Sequence, residues 1–235
     1  MVLMKKRYIS FFIGILLLFL FTPATRVFAY SVETHAFLTD AVFDFYNQHS
    51  NVNKISEELR NFLIDGSRRE DDNIRPLNHF YDPVYNRGLT HDLSIDPFIN
   101  VGNWQASKKW VRDEENQNSA KYKISTTIAS ILTAIQQRSI EAISAETNFT
   151  WQQAIRYWLK GEEEKAMFML GHVLHLIEDS AVPDHTRNDA HPLIDPSPYE
   201  KWTSQFVLGS ERGELDRRLK TKYPIQSNDL GSYFD

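Results

Sequence analysis

Apolar residues recur at helical spacing along most of this chain of 235 residues, and no segment alternates apolar and polar residues as a half-buried strand does. Because a helix returns to the same face after three or four residues, this spacing gives each segment one apolar stripe. Such stripes are buried when helices pack against one another. We therefore predict an all-α fold in which several helices form a single domain.

The first 29 residues form a segment of a different kind. A basic start is followed by an apolar run over residues 11–21 and by small or apolar residues up to Ala29, which is typical of a secretory signal peptide. The run is shorter than the about 20 residues that a membrane-spanning helix needs, and an uncleaved N-terminal anchor is the alternative. We expect cleavage near Ala29, a secreted or periplasmic protein, and a helical domain over residues 30–235.

Cleavage would also make the chain more acidic. Loss of the signal peptide removes four positive charges and no negative ones, so the formal net charge falls from −5 to −9. An acidic surface repels polyanions, and we therefore do not expect binding to duplex nucleic acid. The chain has no cysteine, so an exported form has no disulfide bonds and must draw its stability from its core or from bound metal.

Helix boundaries are predicted from capping residues and glycines. Ser31 is a suitable N-cap for a first helix, and Gly66 is expected to end a second helix over residues 54–64. Residues 66–103 are rich in Asp, Asn, Pro and Gly, and a loop of that length is uncommon unless it is functional. Further helices are predicted over residues 104–115, 119–145, 151–160 with Gly161 as terminator, 162–181 and 199–208.

The segment over residues 170–191 contains the strongest chemical signal. His175 and Asp179 are four residues apart and would share one face of a helix, and both side chains are common zinc ligands. A proline after that helix can turn His185 back toward the same place. A single histidine on an apolar helix face is usually a hydrogen-bonded core residue, but four of the chain's eight histidines lie in this segment. Their density favours a metal site, with His172 as a core or supporting residue.

Two other places contain suitable ligands. The stretch from Asp71 to His79 contributes carboxylates and a histidine from the long loop. His35 lies on the inner face of the first helix, five residues after Tyr30. Cleavage before Tyr30 would free an α-amino group, whose pKa of about 7.7–8.0 allows a metal to displace its proton. Signal cleavage could therefore create a ligand.

Three motifs occur together in this chain. The pattern LGxxxHxxxDxxxPxH occupies residues 170–185, HFYDP occupies residues 79–83, and an aromatic-Ser-x-Glu string begins at Tyr30. Together they resemble the bacterial zinc-dependent phospholipase C family, whose superfamily includes the single-strand-specific zinc nucleases. The resemblance extends from Tyr30 to about Phe206 and implies a cluster of three zinc ions in a cleft between helices.

The resemblance also implies a set of ligands for each ion. The first zinc would be held by Asp71, His79, His175 and Asp179. Asp179 would bridge to a second zinc, which is completed by His35 and by the amino and carbonyl groups of Tyr30. The third zinc would be held by His185, His191 and Glu200.

Two of these assignments have alternatives. Asp71 has the family's position in the loop, with Glu70 and Asp72 as substitutes. Asp195 has the family's spacing from the preceding histidine, whereas Glu200 has the family's context of Tyr-Glu followed closely by an aromatic residue. We favour Glu200.

These expectations define a function. We predict a zinc-dependent phosphoric diester hydrolase in which a zinc-bound hydroxide attacks phosphorus in line, while Asp71 orients or deprotonates that water. The substrate is expected to be a phospholipid, cleaved as by a phospholipase C, with transient contact at a membrane surface. The head group, the substrate-binding residues and the oligomeric state are left open.

Two other functions are compatible with the sequence. A single-strand nuclease or nucleotidase of the same superfamily would need aromatic side chains for base stacking, for which Phe80, Tyr81 and Tyr85 are candidates. A non-catalytic, zinc-stabilised binding protein would instead fill every coordination position with protein ligands.

Overall fold

The computed structural model describes residues 31–50, 53–72, 75–90, 104–123, 147–189 and 197–209, together with residues 213 and 217. Most of these residues are helical and none forms a strand, which confirms the all-α prediction. The predicted signal peptide, Tyr30, His191 and Asp195 lie outside the described ranges. No helix in the described part of the chain is both long and apolar enough to cross a bilayer.

The described α-helices are numbered here in chain order. They are α1 (Val32–His49), α2 (Arg60–Arg69), α3 (Ser107–Trp110), α4 (Glu114–Lys123), α5 (Trp151–Leu159), α6 (Glu163–Asp179), α7 (Pro183–Thr186) and α8 (Pro198–Leu208). Two 3-10 helices, Glu57–Leu59 and Arg75–Asn78, lie immediately before α2 and shortly after it.

Several helix ends follow the sequence prediction. The Ser31 hydroxyl accepts a hydrogen bond of 3.2 Å from the backbone N–H of Thr34, so Ser31 is the N-cap of α1. Just after the C-terminus of α5, Gly161 has a φ of 75°, a left-handed conformation that suits glycine as a helix terminator. Both predictions are confirmed. They could be made from the sequence because each depends on backbone geometry within one turn of the chain.

The prediction for Gly66 is wrong. Helix α2 passes through Gly66 and ends three residues later, so this glycine does not terminate a helix. A Cβ atom added to Gly66 would lie 1.8 Å from the backbone oxygen of Phe168 in α6. One added to Gly171 of α6 would lie 2.1 Å from the backbone oxygen of Leu63 in α2. The two glycines are therefore needed because α2 and α6 cross backbone against backbone.

The segment predicted as one helix over residues 104–115 also differs. It contains the short helix α3 and then the start of α4, with a break between them. At the break, Oδ1 of Asp113 accepts a 2.9 Å hydrogen bond from the backbone N–H of Asn116. Such an aspartate cap favours a new helix start over continuation of the old one. Helix α4 ends at Lys123, and the rest of the predicted helix over residues 119–145 lies outside the described residues.

Helix α6 packs against α1, α2 and α5 and is buried on most of its circumference. Its apolar residues Val173 and Leu176 are fully buried with Trp110, while Met167 packs in a second cluster with Phe43. Three polar residues of α6 are buried as well, namely His172, His175 and Asp179. Because buried polar groups are costly unless they find partners, the polar face of α6 determines what the surrounding elements must supply.

The crossing of α2 and α6 gives a first prediction. The substitution Gly171→Ala should lower the free energy of unfolding by about 3 kcal/mol, because the new methyl group has no space between the two backbones. Urea unfolding followed by circular dichroism measures the change. The control is Gly213→Ala, since a Cβ at that exposed glycine meets no atom within 4 Å. Equal unfolding midpoints for the two variants would contradict the close crossing.

Candidate metal centre

Seven of the predicted ligands come together in the interior. We call this set the His–carboxylate cluster; its members are His35 from α1, Asp71 just after α2, His79 just after the second 3-10 helix, His175 and Asp179 from α6, His185 from α7 and Glu200 from α8. None of the seven is more than 3% exposed. Residues that are far apart in the sequence thus converge on one buried place.

Asp179 lies at the centre of the cluster and is itself fully buried. Its Oδ2 atom lies 2.7 Å from Nδ1 of His79 and 3.3 Å from Nε2 of His175. Its Oδ1 atom lies 3.3 Å from Nε2 of His35 and 3.6 Å from Nδ1 of His185. One carboxylate is therefore shared by four imidazoles.

Two overlapping groups within the cluster have the spacing of metal ligands. One group is His35, His175 and Asp179, and the other is Asp71, His79 and His175. In each group the candidate ligand atoms lie within 4.8 Å of one another. The two groups are neighbours because they share His175. The ring of His175 stacks on that of His35, with the centroids 3.5 Å apart. Each group could hold a metal ion.

The hydrogen bonding of these residues fits a metal ion. Both carboxylate oxygens of Asp71 are buried without a hydrogen-bond partner in the protein, and the imidazole nitrogens that lie 2.7–3.6 Å from the Asp179 oxygens do not have the geometry of hydrogen bonds to them. Such an atom costs about 1–3 kcal/mol, so a group of them in one place is unusual in a folded protein. A cation surrounded by these oxygen and nitrogen atoms would satisfy them together.

Two of the histidines are oriented by groups outside the cluster. His35 places Nδ1 2.7 Å from Oε2 of Glu178, and Oε1 of the same carboxylate accepts a 3.0 Å hydrogen bond from the Thr39 hydroxyl. His175 donates from Nδ1 to the backbone oxygen of Ser67 at 2.7 Å. In both rings Nε2 is left facing the cluster. Metal-binding histidines commonly have such an outer partner, which fixes the tautomer and the ring orientation.

Among the three neighbouring acids after α2, only Asp71 belongs to the cluster. Its Oδ1 atom lies 3.6 Å from Nε2 of His175 and 3.8 Å from Nδ1 of His79. Glu70 is occupied by an ion pair with Arg75 at 2.6 Å. The partly exposed carboxylate of Asp72 points to Arg69 at the end of α2, 3.8 Å away. The geometry thus favours Asp71 over its two neighbours as a ligand.

The third predicted zinc site is described in part. Nε2 of His185 lies 3.7 Å from Oε1 of Glu200. Ser197 caps α8 by accepting a 3.3 Å hydrogen bond from the backbone N–H of Glu200, and its hydroxyl donates to Asp184 of α7. This chain of contacts ties the start of α8 to α7 and keeps Glu200 beside His185. The other two candidates for this site, His191 and Asp195, lie outside the described residues.

The charges of the cluster balance one another. Burial works against the charge of Asp179, but the surrounding imidazoles hold the pKa of its carboxyl well below the ordinary value. Burial also opposes the protonation of His35, yet Asp179 and Glu178 raise the pKa of this imidazole to about 10. The pKa of His79 is raised in the same way, against burial, whereas burial raises the pKa of Asp71. Protons on His35 and His79 thus supply positive charge at the place where a metal ion would.

Glu178, Thr39 and Ser67 were not among the functional residues predicted from the sequence. Glu178 and Ser67 contact His35 and His175, and Thr39 contacts Glu178, in each case across more than 100 residues of chain. No local pattern marks a residue whose partner is so distant. His172, for which a core or supporting position was predicted, is buried, and its Nδ1 lies 2.5 Å from Oε2 of Glu70.

Compared with protein-family models, with curated proteins and with solved structures, the chain gives no significant match. The resemblance to zinc-dependent phospholipases C therefore depends on the motifs of the sequence, and it stays a prediction.

The position of Asp179 between the two ligand groups gives a second prediction. The substitution Asp179→Asn should remove both ions that share this carboxylate, because the amide cannot bridge two cations as an anion does. Metal analysis of the purified protein, after removal of free metal, measures the content per chain. The control is Asp65→Asn on the exposed side of α2, where the carboxylate is 51% exposed and pairs only with Arg69 among the described residues. Wild-type metal content in Asp179→Asn would contradict the bridging role.

Proposed function

We propose that this protein is an exported, zinc-dependent phosphodiester hydrolase that removes head groups from phospholipids as a phospholipase C does. The main support is the His–carboxylate cluster, in which four imidazoles share the buried carboxylate of Asp179 and both oxygens of the buried Asp71 carboxylate have no hydrogen-bond partner in the protein. Buried carboxylates that serve structure alone usually have their oxygens hydrogen-bonded.

The ligand set agrees with zinc. Imidazole nitrogen and carboxylate oxygen are first-choice ligands of this ion, and two or more such ions close together are typical of enzymes that cleave phosphate esters. Three divalent ions against the carboxylates of Asp71, Asp179 and Glu200 would leave the site with a charge of about +3. A positive site on an otherwise acidic chain would attract an anionic phosphodiester.

The residues of the cluster would have different roles in catalysis. When bound, zinc supplies positive charge for the phosphate and makes a water molecule more acidic. Asp71 would orient the attacking water and accept its proton at a carboxylate oxygen, because this buried carboxylate lies in the same ligand group as His79 and His175. Asp179, held in its ionised form by the imidazoles, would keep the ligands at a fixed separation.

The aromatic residues favour a lipid over a nucleic acid as the substrate. Phe80 is 7% exposed and stacks on His185, with ring centroids 4.5 Å apart. Tyr81 is 3% exposed and packs in the core with Trp110. Of the three candidates for base stacking, only Tyr85 is exposed, and the guanidinium of Arg87 lies 4.7 Å from its ring centroid. Two of the three side chains proposed for base stacking are therefore buried, which weighs against the nuclease.

A third prediction concerns the activity. The purified mature protein, loaded with zinc, should release phosphorylated head groups from phospholipid vesicles and show little turnover of single-stranded DNA. The substitution Asp71→Asn should lower kcat by about 100-fold or more, because it removes both the proton acceptor and a ligand. Asp72→Asn is the matched control, since its carboxylate points to Arg69, and it should keep wild-type activity.

The same assays separate the alternatives. Faster cleavage of single-stranded DNA or nucleotides than of phospholipid would favour the nuclease. A generic phosphodiester, tested beside them, reports hydrolysis whatever the leaving group. Full zinc occupancy without turnover of any of the three substrates would favour a zinc-stabilised binding protein.

A fourth prediction concerns the N-terminus. One extra residue before Tyr30 should remove a single zinc ion and reduce activity, because the amino group predicted to bind would become an amide. Metal content and turnover are measured together. The same residue added after Asp235 is the control and should change neither quantity. Unchanged zinc content in the N-terminal variant would show that the amino group is not a ligand.

A further inference from the structure

The orientation of His79 differs from that of the other two histidines nearest to Asp179. His35 and His175 direct Nδ1 to an outer acceptor and Nε2 to the cluster. His79 is reversed, because its Nδ1 lies 2.7 Å from Oδ2 of Asp179. Its outward nitrogen, Nε2, lies 3.8 Å from Oε1 of Glu70. Glu70 is therefore the carboxylate that faces the outward nitrogen of His79, as Glu178 and the Ser67 carbonyl face Nδ1 of the other two rings, although 3.8 Å is longer than a hydrogen bond.

The carboxylate of Glu70 is fully buried and firmly held. Its Oε2 atom accepts from Nε of Arg75 at 2.7 Å, and Nη2 of the same guanidinium lies 2.6 Å away. Nδ1 of His172 lies 2.5 Å from this oxygen. Its other oxygen, Oε1, accepts a 3.2 Å hydrogen bond from the indole N–H of Trp110 and is the oxygen that faces His79.

Arg75 is fixed independently of the cluster. Its guanidinium carbon lies 5.2 Å from the ring centroid of Trp110 and 4.8 Å from that of Phe149. Its Nη1 donates to the backbone oxygen of Thr147 at 3.3 Å. A guanidinium held in this way keeps Glu70 ionised and in place whether or not a metal ion is bound.

An ionised carboxylate beside one ring nitrogen has a definite effect on a histidine. It favours a proton on the nitrogen that faces it, because the N–H dipole then points at the negative charge. His79 has such a carboxylate on each side, since Asp179 lies 2.7 Å from Nδ1 and Glu70 lies 3.8 Å from Nε2. A metal ion bound at Nδ1 would displace the proton from that nitrogen, and the remaining ring proton would then lie on Nε2, the nitrogen that faces Glu70. Only a deprotonated nitrogen can bind a metal.

We propose that Glu70 is a positioning residue of the metal centre, and that it acts by holding the proton of His79 on Nε2 so that Nδ1 binds the ion shared with Asp71 and His175. The inference rests on the proposed function to the extent that it assumes a metal at this place. Glu70 also directly precedes Asp71 in the chain, so the same anchored side chain fixes the backbone that presents the Asp71 carboxylate.

The first experiment needs no substitution. Nitrogen NMR of the zinc-loaded wild-type protein, labelled at histidine, distinguishes a metal-bound nitrogen from a protonated one. The signal of His79 is assigned by its loss in His79→Gln. We expect Nδ1 to be metal-bound and Nε2 to carry the proton. The reverse pattern, with zinc on Nε2, would overturn the proposal.

The second experiment tests Glu70 directly. Glu70→Gln should weaken zinc binding at one site by about 10- to 100-fold and shift the visible spectrum of the cobalt-substituted protein. His172→Phe is the matched control, because it removes a partner from the same carboxylate and keeps a ring against Phe149 but does not touch His79. It should lower the thermal stability of the metal-free protein while its zinc affinity and cobalt spectrum stay those of the wild type.

Glu70→Gln leaves Arg75 buried without its counter-ion, which can prevent folding. The double variant Glu70→Gln/Arg75→Gln removes both charges and keeps groups that hydrogen-bond, so it preserves the fold while removing the effect on His79. Circular dichroism of the metal-free protein reports folding separately from metal binding. Wild-type zinc affinity in either folded variant would overturn the role proposed for Glu70 but would leave the proposed function standing. A wild-type chain that binds no zinc would overturn the proposed function together with it.

Discussion

The carboxylate of Asp179, buried among four imidazoles, is the interaction on which the rest of the structure depends. A buried charge costs several kcal/mol unless opposite charges and hydrogen bonds surround it. The compensation comes from α1, from the segment that follows the second 3-10 helix, from α6 itself and from α7. The same contacts that offset the charge of Asp179 therefore also hold these elements together. In a chain without cysteine, metal ions in this place would act as the internal cross-link that disulfide bonds provide elsewhere.

The close crossing of α2 and α6 connects packing with chemistry. Gly66 and Gly171 bring the two backbones into contact, and this contact places the Ser67 carbonyl 2.7 Å from Nδ1 of His175. A side chain at either glycine would separate the helices and move this acceptor away from the ring. The two residues thus contribute to the candidate site although neither carries a functional group. Their role also explains why Gly66 lies inside a helix, where glycine is otherwise unfavourable by about 1 kcal/mol.

Around the cluster lies a second layer of fixed acceptors. Glu178 and the Ser67 carbonyl orient His35 and His175, and Glu70 faces His79. Burial works against the charge of Glu70, but Arg75 outweighs it and lowers the pKa of this carboxyl to about 2. The outer layer is satisfied within the protein, whereas several inner atoms are not. This contrast between a satisfied surround and an unsatisfied centre is what a site that could hold a metal ion would show.

The sequence alone determined the features that depend on neighbours within a turn or two. These are the all-α class, the cap at Ser31, the terminator at Gly161 and the pairing of His175 with Asp179 on one helix face, because each is decided by local backbone geometry and side-chain spacing. Only the tertiary structure grouped the Asp71 carboxylate with His79 and His175, gave Gly66 its packing role and revealed the outer acceptors. Those outcomes depend on partners that are distant in the sequence, up to 143 residues away for Glu178. The spacing of residues along a chain does not indicate which distant segments will contact one another.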